Sequence, residues 1–207
     1  MGRKSLKEQR RTQIIEAFSR CVSRKGLQKA SIRQIAKEAG VQTSILHHYF
    51  KDREEMIEEL VKSIVDQAVA RYRAEVNRHR NPKTRFNKAF KFLFGPDMIN
   101  DEHSTFFYDA WVEARENDKV RESFRMLYSR FREGITNLLA ETGKSYGLSA
   151  LELYELATMV VAIQDGVSLQ WDMDRGNVSL DRMSRMTKRL IELYIEDKDR
   201  GKRGKGE

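Results

Sequence analysis

Apolar positions recur along most of this chain at helical rather than strand spacing. Ile14, Ile15, Phe18 and Val22 mark one face that stops at Lys25-Gly26, a cation in a last turn followed by a residue suited to a left-handed cap. Ser31 stands three residues before Gln34, the spacing of a capping box, and Ile32, Ile35, Ala36 and Ala39 follow on one face. Gly40 supplies a tight turn, after which Val41, Ile45, Leu46 and Tyr49 give a face of about two turns. Two short helices joined at a glycine predict a helix-turn-helix.

Asp52 and Glu55 form a second capping-box pattern, opening a long helix through Met56, Leu60, Ile64 and Val65 that runs until Asn81-Pro82. Beyond it the pattern predicts helices near 82–94, 103–117, 119–142, 150–171 and 180–197, with Ser149 and Glu152 capping the fourth of these. The Lys-, Arg- and Gly-rich residues 198–207 read as a disordered basic tail. The expectation is an all-α protein: a helix-turn-helix head of three helices over 1–53, and a longer helical domain over 54–197 to which the family resemblance given below assigns ligand binding and dimerisation.

Two prolines in 207 residues fit long uninterrupted helices. The one cysteine, Cys21, excludes an internal disulfide and reads as a small inert core residue. The most apolar run, Leu156–Ile163, is far shorter than the ~20 residues that span a bilayer. With no signal-peptide pattern at the start, the expected compartment is cytoplasmic, without membrane association.

Charge changes the picture once it is divided along the chain. The formal net charge is +8, yet residues 1–53 hold 13 Lys and Arg against 4 Asp and Glu, a net of +9, leaving 26 against 27, a net of −1, for the rest. Concentrated positive charge on a helix-turn-helix fits phosphate neutralisation on DNA.

The stretch from Ser31 to Met56 contains Ile-Ala-x-x-Ala-Gly-Val followed by His-Tyr-Phe-x-x-Arg-Glu, and it resembles the DNA-binding region of the TetR family. The resemblance covers about the first 60 residues. It implies a bacterial repressor that holds operator DNA as a homodimer and leaves it when a small molecule binds. Ile45 and His47 depart from the threonine and aromatic residue more usual there, so base preference does not carry over. Asp165-Gly166 with Val167, Leu169 and Trp171, together with His48-Tyr49-Phe50, faintly resembles the choline-responsive betaine regulators.

In a helix-turn-helix, the first residues of the second helix reach base edges in the major groove. These are Gln42, Thr43 and Ser44, with His47 one turn on; glutamine can pair with an adenine edge through both amide groups. Arg33, His48, Tyr49, Lys51 and Arg53 are the expected phosphate contacts, Arg53 standing at a helix N-terminus. Arg3, Lys4 and Lys7 are candidates for the neighbouring minor groove or for a solubilising tail. Adjacent His47 and His48 point about 100° apart on a helix and do not suit one metal ion.

The family plan implies a ligand pocket among the middle helices. Its candidates, chosen as aromatics with a few polar groups, are Phe86, Phe90, Phe107, Trp111, Phe124, Tyr128 and Gln164, residue types that serve more often as core than as ligand contacts. The helix near 150–171 has little polar face and needs cover from two sides. Leu156, Val160, Ile163 and Val167, with Met183, Met186, Leu190 and Tyr194 of the last helix, form the expected twofold interface.

Enzyme readings fare poorly. Gly143-Lys-Ser-Tyr-Gly147 matches a hydrolase pattern but follows a helix instead of a strand, and as a phosphate loop it has Leu138 where glycine is required. No catalytic, metal or cofactor site is expected. The alternatives to a ligand-responsive repressor are an effector-independent DNA binder and a helical enzyme with a borrowed head.

Overall fold

The structure is a computed structural model that describes residues 5–96, 98–141 and 148–203, apart from the side chains of 101–103, 105, 202 and 203. Within them are nine α-helices and a π-helical turn: α1 (Leu6–Lys25), α2 (Ile32–Glu38), α3 (Thr43–Tyr49), α4 (Arg53–Tyr72), the π turn (Arg73–Asn77), α5 (Pro82–Leu93), α6 (Asp101–Glu113), α7 (Asp118–Glu141), α8 (Ala150–Met173) and α9 (Leu180–Arg203). Gly143–Gly147, Arg3 and Lys4 lie outside the described residues.

The caps are local chemistry. Ser31 and Gln34 satisfy each other's backbone amides at 3.3 and 3.2 Å, as do Ser149 and Glu152 at 3.2 and 2.8 Å. A further box, Ser5 with Glu8, starts α1 ahead of its first apolar face, which brings Lys7 into the helix. At α4 only half the expected box forms. Asp52 accepts from the Glu55 amide at 2.8 Å, while the Glu55 carboxylate turns to the Lys51 amide at 2.7 Å and to Arg11. The π turn already ends at Asn77, short of the expected Asn81-Pro82, and Asn81, held extended before Pro82, caps α5 through the Thr84 amide at 3.0 Å. Helix α9 continues to Arg203 through residues expected to be disordered, its last turn and a half carrying Lys, Arg and Asp that extend the helix without adding to its apolar face.

The chain forms two compact units, and packing does not follow the boundary expected at 53/54. The first unit holds residues 1–67 and 101–127. Its core includes Ile14, Phe18, Leu27, Ile35, Leu46, Phe50, Met56 and Phe106, each at most 3% exposed, and α6 packs on α1. Burying each of these large side chains contributes roughly 1.5–3 kcal/mol. Gly26, at φ +80°, lies where an added Cβ would meet the Asp109 carboxylate at 2.7 Å, so both backbone conformation and space select glycine.

The second unit holds residues 68–100 and 128–207. Phe86, Phe90, Phe92, Phe94, Leu139, Leu156, Val160, Val167, Ile191 and Ile195 share one core, where α9 packs on α5 and α8.

Candidate nucleic-acid interface and effector cavity

Helix α3 is anchored from beneath and bare on top. Leu46 is 1% exposed and Phe50, at its C-cap, is 3% exposed. The Arg11 guanidinium lies 4.3 Å from the centre of the Phe50 ring, donates to the Tyr49 carbonyl, and pairs with Glu55 at 2.9 Å and Glu59 at 3.3 Å. A cation held by this many partners positions the helix and does not reach outward. Gln42 is the N-cap of α3 but makes no capping hydrogen bond. Gln42, Thr43, Ser44, His47 and His48 are all exposed, so the first turn of α3 presents amide, hydroxyl and imidazole groups to solvent.

Arg33 and Lys51 are exposed cations flanking this helix in sequence, and Tyr49 is half-buried with its ring edge-on to His48 at 5.3 Å. Arg53 is placed otherwise. Its guanidinium bonds Glu113 at 2.7 Å and the Leu27 carbonyl at 2.8 Å, and its side chain is only 27% exposed. Both faces of its charge are occupied inside the first unit, unlike those of Lys51. Arg20 and Arg24 are likewise turned to Glu38, at 2.9 and 2.7 Å, and hold that carboxyl below its ordinary range.

The expected pocket residues are divided between the two units. Phe86 and Phe90 are fully buried in the second unit's core, their rings 4.8 Å apart. Phe107 and Phe124 meet edge-on at 6.1 Å in the first unit, where Trp111 is 53% exposed. Tyr128 and Gln164 are half-buried. The Tyr128 hydroxyl bonds Asp165, whose carboxyl burial pushes up to about 6 against the lowering effect of that bond.

A cavity of about 100 Å³ that none of these seven lines lies within the second unit instead. Its wall is Ala68, Val69 and Tyr72 of α4, Phe92 and Leu93 of α5, Met98, and Arg130, Phe131, Gly134, Ile135 and Leu138 of α7. Tyr72 and Phe92 meet edge-on in that wall, their ring centres 5.7 Å apart. The missed aromatics carried a signal in the sequence, since Phe131, Ile135 and Leu138 share one face of α7, but selection by residue type ignored face.

The expected twofold interface divides. Leu156 and Val167 are 7% exposed and Val160 is fully buried, so these three belong to the second unit's own core, which also holds Phe86, Leu139 and Ile191. Ile163 and Met183 are half-buried. Met186, Leu190 and Tyr194 are 60%, 53% and 40% exposed, and Met159, Leu169, Met173 and Leu193 are exposed with them.

Among the described residues no helix is long and apolar enough to cross a membrane, and no three His, Cys, Asp or Glu side chains are placed to hold a metal ion.

Residues 14–60 match the family described as bacterial regulatory proteins, tetR family, and residues 82–196 match the C-terminal domain described as BetI-type transcriptional repressor. The nicotine-responsive transcriptional repressor HdnoR of Paenarthrobacter nicotinovorans is 24% identical over 90% of this chain and 94% of its own length. A transcriptional regulator from Pseudomonas aeruginosa PAO1 superposes with a TM-score of 0.81 at 18% identity, covering 93% of both chains. One from Saccharomonospora viridis, solved in complex with choline, has a TM-score of 0.73 at 26% identity, over 89% of this chain and 96% of that one.

Proposed function

Because the chain belongs to the TetR family of bacterial regulatory proteins and carries a BetI-type C-terminal domain, we propose that it is a repressor which binds palindromic operator DNA as a homodimer and is released by a small-molecule effector. It is a DNA-binding transcriptional regulator and not an enzyme. The finer reading rests first on α3: a helix fixed by buried Leu46 and Phe50 that exposes Gln42, Thr43, Ser44 and His47 together. Those four read bases in this account, while Arg33, His48, Tyr49 and Lys51 contact phosphates. Residues 1–53 are then the DNA-reading segment, working in the cytoplasm.

Dimerisation is supported by the exposed apolar side chains of α8 and α9, a density of surface Met, Leu and Tyr that calls for a cover. Met159, Met186, Leu190 and Tyr194 take the centre of an isologous interface. Effector release is supported by the cavity in the second unit and by relatives whose names and structures record nicotine and choline. To act, an effector must favour the DNA-incompetent state by its coupling free energy.

The test is competition binding. An operator-length duplex from the flanking DNA should outcompete random duplex by orders of magnitude, and a small molecule should abolish that preference. Equal binding of both duplexes would remove the operator reading, and an operator complex indifferent to a broad metabolite set would leave an effector-independent binder.

A further inference from the structure

Among the polar side chains that α3 exposes stands an apolar one, Ile45. It is 39% exposed, and among the described residues from Lys7 to Ala110 it is the only large apolar side chain in that state. Its amide donates to the Gln42 carbonyl at 3.0 Å, which fixes its backbone in the first turn of the helix. A side chain branched at Cβ keeps essentially one χ1 rotamer in a helix, so its methyl groups are in place before anything binds. With successive residues about 100° apart, Ser44 and His48 lie opposite buried Leu46, Ile45 stands on one flank and His47 on the other.

Size decides what covers this isoleucine. A docked protein calls for a contiguous apolar patch of roughly hundreds of Å², whereas the residues around Ile45 on the outer face, Ser44, His47 and His48, are polar. A single apolar group among polar ones matches the major groove instead. Base edges there show hydrogen-bond donors and acceptors, and thymine alone adds a methyl group. Against a phosphate or the amino group of cytosine, Ile45 would strip water from a polar group and offer it no hydrogen bond.

We infer that Ile45 is a specificity-determining residue which packs on the C5 methyl group of a thymine, so that the operator carries a T·A pair at one symmetric pair of positions. The inference rests on the reading of α3 as the base-reading helix, and adds a residue and a base to it.

The test uses the full chain and a duplex that it selects from a random double-stranded pool. Deoxyuridine in place of thymidine removes the methyl group and keeps every hydrogen-bonding atom of the base. Each symmetric pair of thymines in the selected duplex is replaced in turn, and affinity is titrated for the parent and for Ile45→Ala. Replacing one such pair should weaken the parent about fourfold per half-site, the worth of burying a group of that size, and should not weaken Ile45→Ala further. Ile45→Ala should itself lose at least as much on the thymine duplex, while keeping the parent's circular dichroism spectrum and its affinity for random duplex, the marks of an intact head. If no thymine pair matters to the parent but not to Ile45→Ala, or if that variant loses affinity for selected and random duplexes alike, the inference is overturned while operator binding stands. A pool from which no sequence is enriched would remove the base-reading role of α3 and the inference with it.

Discussion

Arg53, the first residue of α4, pairs with Glu113 near the end of α6 at 2.7 Å. The same guanidinium takes the Leu27 carbonyl at 2.8 Å, and Asp109, one turn before Glu113, accepts the Leu27 amide at 2.6 Å. Both backbone polar groups of Leu27 thus end on carboxylates of α6, one directly and one through Arg53. The connection between α1 and α2 is fixed by side chains far away in sequence.

Arg53→Ala should therefore act on stability. It leaves the Leu27 carbonyl and a part-buried Glu113 unpaired, a cost of about 1–3 kcal/mol, read as a lower Tm without a change in the salt dependence of DNA affinity. Lys51→Ala should do the reverse. Lys51 is exposed, so Tm should hold while the slope of log affinity against log salt flattens by about 1 per lost contact in each half-site. Thermal melts beside a salt series on both variants separate the two roles.

Gln42→Ala and Ser44→Ala should each cost about 1–3 kcal/mol on the operator and relax discrimination at one symmetric pair of base positions. Random duplex should be bound as before, because neither side chain is buried or caps its helix. Competition titrations with operator and random DNA measure this directly.

On α8 the neighbouring residues Met159 and Val160 should respond in opposite ways. Met159 is 59% exposed and Val160 fully buried. Met159→Glu, like Met186→Glu, should keep its circular dichroism spectrum and sediment as a monomer at concentrations where the parent is a dimer. Val160→Glu should unfold, since it buries an unpaired charge in the second unit's own core. A parent chain that sediments as a monomer at micromolar concentration contradicts the interface.

Asp165 gives a pH dependence with a definite sign. Burial raises its carboxyl from an ordinary 3.8 to about 6, so between these values the folded chain holds a proton that the unfolded chain has released. Stability from this group is complete below pH 4 and is lost as pH rises through 6, by up to about 3 kcal/mol. Asp165→Asn keeps an oxygen for the Tyr128 hydroxyl and removes the titration. Its Tm should fall less than the parent's between pH 4.5 and 7, and a parallel fall in both would refute the assignment.

Local chemistry was legible in the sequence and distant partnership was not. Ser31 with Gln34 and Ser149 with Glu152 declared two helix starts because a capping box is complete within four residues. The helix-turn-helix was legible for the same reason. Arg53 read as a phosphate ligand because nothing near it in sequence announces Glu113, sixty positions on. The apolar excess of α8 was visible, but Val160 and Met159 are both hydrophobic, and only the second unit's core, assembled from distant helices, decides which of them faces out. The cavity escaped because its wall is assembled from the ends of α4 and α5, one face of α7 and Met98, far apart in sequence, whereas Phe86 and Phe90, more prominent in sequence, are core.

The most direct test of the account is a selection of duplexes by the intact protein from a random double-stranded pool, followed by sequencing. A homodimer reading DNA through paired α3 helices should enrich an inverted repeat whose half-sites are centred about one helical turn apart, or a multiple of it. Failure to enrich any sequence above the input pool, or enrichment of a single unrepeated site, would contradict the proposal that this chain is a dimeric operator-binding repressor.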